Sequence, residues 1–215
     1  MNEADARRAL VDAARRLEAS GLNHNASGNL SLRVDRGILV TPTGIPASLM
    51  EPDDGVMLAA DGTPLDAGAR LPTSEWRLHL ALYHRSDVGA VVHTHSPEAT
   101  AAATLRRAVP AIHYVVARFG GLTLPCAPYA TYGTDELAAA VAATLGATGS
   151  ACLMANHGAV AVGPDLPTAA SLAADVEWLC GVWRRARQLG TPEILDDAEI
   201  DRVRERFRSY GQPPA

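Results

Sequence analysis

Two histidines one residue apart, His93-Thr94-His95, are the first candidates for chemistry in this chain. In a β-strand, residues i and i+2 point to the same face, so both imidazoles would project side by side. Ser96-Pro97 ends the strand at once and leaves the pair at a sheet rim. A third imidazole, His157, stands in Asn156-His157-Gly158 between two apolar segments, where glycine permits a turn or the close approach of a ligand. Three histidines backed by apolar strands suit zinc, which in catalytic sites takes three protein ligands and keeps one position open. Taken singly, the pair also fits a surface histidine pair, and His157 also fits a satisfied turn residue.

Glu75 follows Thr73-Ser74 at a helix-start signal. It reads either as a first-turn carboxylate favourable to the helix dipole or as a general acid/base beside a metal. The same place offers free N–H groups and the hydroxyls of Thr73 and Ser74 to an anion. Gly28-Asn29 and Thr43-Gly44 are two further small, polar loop sites of the kind that cradle phosphate, though each alone is only a turn. His79, one helical turn after Glu75 and among Trp76, Leu80 and Tyr83, reads as a core or supporting residue rather than a ligand. His24, His84 and His113 have no evident partners in the sequence.

The elements that must position these groups are legible as periodicities. Residues 3–20 are an amphipathic helix with Leu10, Val11, Ala14 and Leu17 on one stripe. Strands at 30–34 and 38–41 flank a hairpin turn at Asp35-Arg36-Gly37. A helix follows Glu75, a buried strand runs from Val88 to His95, and a helix runs from Ser96 to Leu105. Residues 111–116 and 122–126 read as short strands around Gly120-Gly121. Thr134-Asp135-Glu136 caps a helix to Leu145, strands at 151–155 and 159–162 bracket His157, and helices cover 167–189 and 197–209. Strands and helices mix without a regular β-α-β rhythm, which predicts an α/β layered fold with a partly antiparallel sheet.

Composition narrows the function. The chain has 215 residues, expected to form one domain spanning 1–215, and hides about 70% of its unfolded surface on folding. Net charge is −5, from 19 Lys+Arg against 24 Asp+Glu, which argues against nucleic acid as a partner. Cys126, Cys152 and Cys180 are scattered without C-x-x-C spacing, as expected of free thiols in a reducing compartment. The opening MNEADARRAL has no apolar h-region, which predicts no secretory signal and a cytoplasmic protein. Leu137 to Gly163 carries no Asp, Glu, Lys or Arg, but glycines and Asn156-His157 interrupt it, so a helix and a buried strand are expected rather than a membrane span.

Many short motifs in order along the chain resemble the class II aldolase/adducin family. They are Ser27 to Ser31 (SGNLS), Ile38 to Pro46 (ILVTPTGIP), Leu71 to His79 (LPTSEWRLH), Val91 to Ser96 (VVHTHS), Pro110 to Tyr114 (PAIHY), Leu124 to Gly133 (LPCAPYATYG), Asn156 to Gly158, and Phe207 to Gly211 (FRSYG). The resemblance implies a three-layer α/β/α fold with a mixed, mostly antiparallel central sheet. It implies one zinc ion per subunit held by His93, His95 and His157, with Glu75 as catalytic carboxylate and resting ligand. Gly28, Asn29, Thr43, Gly44, Thr73 and Ser74 fall at its phosphate-binding positions. Tyr114 matches a tyrosine that handles the aldehyde oxygen, and Tyr210 one that reaches toward a neighbouring subunit's active site.

The activity so implied is reversible cleavage of a small sugar phosphate. The substrate is a ketose 1-phosphate, L-fuculose 1-phosphate or a similar deoxy-ketose phosphate, split to dihydroxyacetone phosphate and an aldehyde such as lactaldehyde. A homotetramer with active sites between subunits is expected. Two departures from relatives stand out: Thr73-Ser74 replaces a Ser-Ser pair, and Asn156 replaces a histidine. The segment Val115 to Gly121 also differs, where aldehyde choice could be made. Alternatives within the family are a pentulose-phosphate 4-epimerase, a salvage aldolase for 5-deoxy- or methylthio-pentulose phosphates, and a non-catalytic adducin-like binding module. Such epimerases use an additional acidic residue in mid-chain, and this sequence has no Asp from Val88 through Thr134.

Overall fold

The computed structural model describes residues 2–66 and 70–210. Gly211, the last residue of the FRSYG motif, lies outside the described residues. The amphipathic stripe at the start of the chain forms α1 (Glu3–Ala19), capped by Asn2 and buried through Leu10, Val11, Ala14 and Leu17. β1 (Asn29–Val34) and β2 (Gly37–Val40) then make the expected hairpin, with Val34 paired to Gly37 across Asp35-Arg36. β3 (Val56–Leu58) extends the sheet beyond β2, an element too short and too closely flanked by acidic and glycine residues to show as a period.

The rest follows as α2 (Trp76–Leu82), β4 (Ala90–Thr94), α3 (Pro97–Ala103), β5 (Cys126–Ala127), α4 (Asp135–Leu145), β6 (Ala151–Met154), β7 (Gly158–Gly163), α5 (Leu166–Leu189) and α6 (Asp197–Phe207). The seven strands lie in the order β3-β2-β1-β4-β7-β6-β5, antiparallel except where β5 runs parallel to β6. Alternation along each strand sends its two sets of side chains into different cores. Leu30, Leu32, Val92, Ala159 and Ala161 pack with α1, α3 and α5 on one face. Val40, Val91, Val160 and Val162 pack with α2 and α4 on the other. The architecture is therefore three-layered α/β/α with a mixed, mostly antiparallel sheet, as expected.

One expectation fails. The segment read as a strand at 111–116 is instead a 3-10 helix, Tyr114–Phe119. The side chain of His113 accepts a hydrogen bond from the Val115 amide and turns the chain, and Gly120 at φ 80° ends the helix. Of the companion strand at 122–126, only β5 and a single bridge between Val109 and Leu124 form. The uncharged stretch from Leu137 is α4 followed by β6 and β7, and no helix among the described residues is long and apolar enough to cross a membrane.

Candidate metal centre and active site

His93 lies on β4 and, like Val91, points toward the α2 layer, where it is fully buried. His95 leaves the end of the same strand on the same side, and its backbone amide donates to the side chain of Asn23 at 3.2 Å. His157 arrives from the tight turn between β6 and β7. Asn156 there adopts φ 53°, a left-handed conformation that Asn tolerates better than most residues, and His157 N–H donates to the Met154 carbonyl. Gly158 is required by packing: a Cβ there would stand 2.2 Å from the Thr94 carbonyl oxygen, where β7 crosses the end of β4.

Glu75 sits at the N-cap of α2, yet its carboxylate does not cap the helix. It turns instead toward the histidines. Oε2 lies 3.1 Å from His93 Nε2 and Oε1 lies 3.3 Å from His157 Nε2, while His93 and His95 bring their Nε2 atoms within 2.9 Å. The four ligand atoms all fall within 4.8 Å of one another, and the three rings stand edge to face at centroid separations of 4.8 to 4.9 Å. Donors at about 2.0–2.2 Å from a tetrahedral zinc stand roughly 3.3 Å apart, close to these contacts.

The chemistry of the donors fits a cation as well as the spacing does. His93 Nδ1 donates to the Ala159 carbonyl at 2.9 Å, which leaves Nε2 as the atom facing the cluster. Burial disfavours charge on His93, but Glu75 and that carbonyl together raise its pKa above the ordinary imidazole value. Burial, the largest single influence, opposes an ionised Glu75, yet His93, His157 and Asn29 together outweigh it and hold the carboxyl well below the usual range. Burial and then the neighbouring His93 push His95 down to about 3 and His157 down to about 4, so both present bare lone pairs at neutral pH. Glu75 Oε1 is buried with no hydrogen-bond donor. A carboxylate and bare imidazole nitrogens facing one another need a positive charge between them, and a divalent metal supplies it. These residues can hold a metal ion.

The cluster opens into a cavity of about 470 Å³ lined by Gly28, Asn29, Thr43, Gly44, Thr73, Ser74, Glu75, His95 and His157. Every residue expected for phosphate thus shares one space with Glu75, His95 and His157 of the cluster. The loops meet because 41–43 and 71–73 run side by side: Thr43 N–H donates to the Leu71 carbonyl and Thr73 N–H to that of Thr41. Gly28 has φ 71°, and any Cβ would strike the side chain of Asn23. The amide of Asn29 faces inward, donating from Nδ2 to Glu75 Oε2 at 3.0 Å.

Tyr114 and Tyr210 are not in this cavity. They line a second one of about 1,120 Å³ with His113, Arg118, Trp178 and Phe207. Tyr114 is half-exposed and Tyr210 is 84% exposed.

The sequence reading passed over other residues of the site. Tyr129 and Tyr132 line the metal cavity, and Asn23 holds the His95 backbone. Both tyrosines lie in the LPCAPYATYG motif and Asn23 in the polar turn before β1, but nothing in their spacing reports a role.

A family model described as the Class II Aldolase and Adducin N-terminal domain matches residues 8–183. The chain is 45% identical to the 5-methylthioribulose-1-phosphate/5-deoxyribulose-1-phosphate aldolase of Rhodospirillum rubrum, over 97% of this chain and 96% of that one. It is 41% identical to the L-fuculose phosphate aldolase of Escherichia coli, over 95% and 94%. A solved L-fuculose 1-phosphate aldolase superposes with a TM-score of 0.90 at 35% identity, covering 95% of this chain and 96% of that one.

Proposed function

The chain belongs to the class II aldolase and adducin family, and we propose that within it this protein is a zinc-dependent aldolase that cleaves a ketose 1-phosphate with a deoxygenated end. It is an aldehyde-lyase of the metal-dependent class. The observation that carries the finer reading is one cavity in which Glu75, His95 and His157 of the four-residue cluster face the polar loops at 28–29, 43–44 and 73–74.

Bound by these ligands, one zinc ion per subunit would act as a Lewis acid, drawing off the negative charge that carbon–carbon cleavage leaves beside the ketone. Glu75, held ionised, takes up or returns the proton on the carbon next to the carbonyl: it gives it back in cleavage and removes it in synthesis. Gly28, Asn29, Thr43, Gly44, Thr73 and Ser74 hold the phosphate through backbone N–H groups, hydroxyls and the Asn29 amide. Binding this non-reacting group fixes the orientation of the bond that breaks. Tyr114 passes the proton at the aldehyde oxygen, and Tyr210 closes the site from a neighbouring subunit.

Neither tyrosine reaches the cavity of its own chain, which supports a homotetramer with sites between subunits. The exposed aromatic surface around Tyr114, Trp178, Phe207 and Tyr210 suits that contact. The working place of the enzyme is the cytoplasm.

The Rhodospirillum relative favours a second substrate alongside L-fuculose 1-phosphate, namely 5-deoxyribulose 1-phosphate or its methylthio counterpart. All three share the phosphate, the ketone and an apolar terminal carbon. Cleavage between the third and fourth carbons yields dihydroxyacetone phosphate from each, with lactaldehyde, acetaldehyde or methylthioacetaldehyde as the second product. Release of dihydroxyacetone phosphate from a panel of these ketose 1-phosphates tests the reading, and Glu75→Gln should keep zinc while losing roughly 100-fold or more in rate. Interconversion of ribulose and xylulose 5-phosphates without cleavage would identify an epimerase instead. A folded chain that binds no metal and cleaves nothing would leave only the adducin-like binding role.

A further inference from the structure

Behind Glu75 runs a line of buried polar side chains that the reaction does not itself require. Asn29 Nδ2 donates to Glu75 Oε2, and Asn29 Oδ1 contacts His79 Nε2 at 2.5 Å. His79 Nδ1 contacts Ser31 Oγ at 2.7 Å, and Ser31 Oγ contacts the Tyr83 hydroxyl at 2.8 Å. His79 and Ser31 are completely buried, and Asn29 and Tyr83 nearly so. The line crosses from α2 to β1 and back, with Ser31 paired to Val91 two residues before His93.

The donors can be placed by elimination. An ionised Glu75 accepts only, so the Asn29 amide must present its N–H₂ to it and its oxygen to His79. His79 Nε2 must then carry the proton. Burial holds His79 neutral, with its pKa pushed down to about 3, so Nδ1 is bare and accepts from the Ser31 hydroxyl. That uses the only proton of Ser31, so the Tyr83 phenol, kept protonated by burial, donates to Ser31. Every donor in the line points toward Glu75. Reversing any one member leaves two acceptors or two donors face to face in a water-free interior.

We infer that His79 is a positioning residue for the proton-transfer step: held in one tautomer by Ser31 and Tyr83, it fixes the Asn29 amide, which fixes the Glu75 carboxylate. The inference rests on the reading of Glu75 as the group that moves the proton. It also gives Asn29 a duty toward Glu75 in addition to the phosphate.

The test isolates that step. Zinc-loaded protein is incubated with dihydroxyacetone phosphate in D₂O, and exchange at the hydroxymethyl carbon is followed by NMR, so the aldehyde partner need not be known. His79→Leu should keep its zinc and hold KM within about 3-fold while exchange slows about 10- to 100-fold. His79→Gln, whose amide still donates to Asn29, should recover most of the rate. Ser31→Ala is the milder variant, expected to slow exchange about 3- to 10-fold. In ¹⁵N spectra it should turn the single Nε2–H tautomer of His79 into a mixture.

The inference is overturned if Leu and Gln at this position behave alike, or if the loss tracks zinc content. Should His79→Leu not fold, a wild-type rate or an unchanged tautomer in Ser31→Ala overturns it. Glu75→Gln separates the two levels. If it abolishes exchange while the other variants run normally, only the relay is wrong. If Glu75→Gln itself exchanges at the wild-type rate, the role of Glu75 and the relay fall together.

Discussion

Two carboxylates, one buried and one half-buried, mark the two cavities, and their surroundings shift them in opposite directions. Glu75 is 5% exposed, yet His93, His157 and the Asn29 amide hold it ionised against its burial. Asp175, beside the second cavity, pairs with Arg118, yet burial prevails and raises its pKa. The metal-binding set of the first cavity is complete in one chain: its polar groups converge, and a cation would compensate them. The second is walled by aromatic rings, Tyr114 against His113, His113 edge-on to Trp178, and Phe207 beside Tyr210, with Arg118, Asp175 and other charged side chains along its lining rather than converging on one point. One is a convergent set of buried metal-binding groups, and the other is an open rim of partly exposed aromatic rings.

The largest expected effect tests the completeness of the first cavity. His95→Ala removes a lone pair that neighbouring residues cannot replace, so metal content should fall together with cleavage, by roughly 1,000-fold or more. Elemental analysis and a cleavage assay on the same sample check it. Full activity in a protein without metal would remove the basis of the comparison.

Next in size is the claim that the second cavity serves the first across a subunit boundary. Tyr114→Phe should retain metal and fold while losing about 10- to 100-fold in kcat. Co-expressed with Glu75→Gln chains, it should regain activity, because mixed oligomers contain some sites with both native groups. Recovery no greater than the sum of the two parents would mean that the cavities do not cooperate. A smaller change is expected at the phosphate loops. Thr73→Ala and Ser74→Ala each remove one hydroxyl, which should raise KM about 10-fold with kcat little changed, since a bond to a charged group contributes about 1.5–3 kcal/mol.

The two regions also differed in how far the sequence revealed them. His93, His95, His157 and Glu75 were visible because strand alternation, a Ser-Pro stop and a helix-start signal are local. The conclusion that they converge needed the resemblance to relatives. The relay from Tyr83 to Asn29 was not visible: its bonded neighbours are up to 52 residues apart along the chain and meet only through the β1–α2 contact. His79 read as a core or supporting residue, and it is fully buried, but its partners could not be named. Near the second cavity the reading failed outright at Tyr114–Phe119. Its β-branched residues favour a strand, whereas the His113 cap and the Gly120 stop impose a 3-10 turn. That error placed Tyr114 in a strand, whereas it begins a 3-10 helix and stands half-exposed against His113.

The smallest effect concerns Asp175 alone and bears directly on the sign of the contrast. Because its folded pKa lies above the ordinary value of 3.8, the folded chain binds the proton more tightly than the unfolded one does. Stability from this group is therefore full below 3.8 and declines as pH climbs from there through the raised folded value. Asp175→Asn should remove that decline, by no more than about 1 kcal/mol given the partial exposure of the pair. Denaturant melts of both proteins at a series of acid pH values measure it. The attraction to Arg118 exists only while Asp175 is ionised, so it is already contained in that net shift. If the wild type instead gains stability over the variant as pH rises through this window, Arg118 outweighs burial. The second cavity would then be charge-compensated like the first, and its open aromatic rim would owe nothing to an uncovered carboxylate.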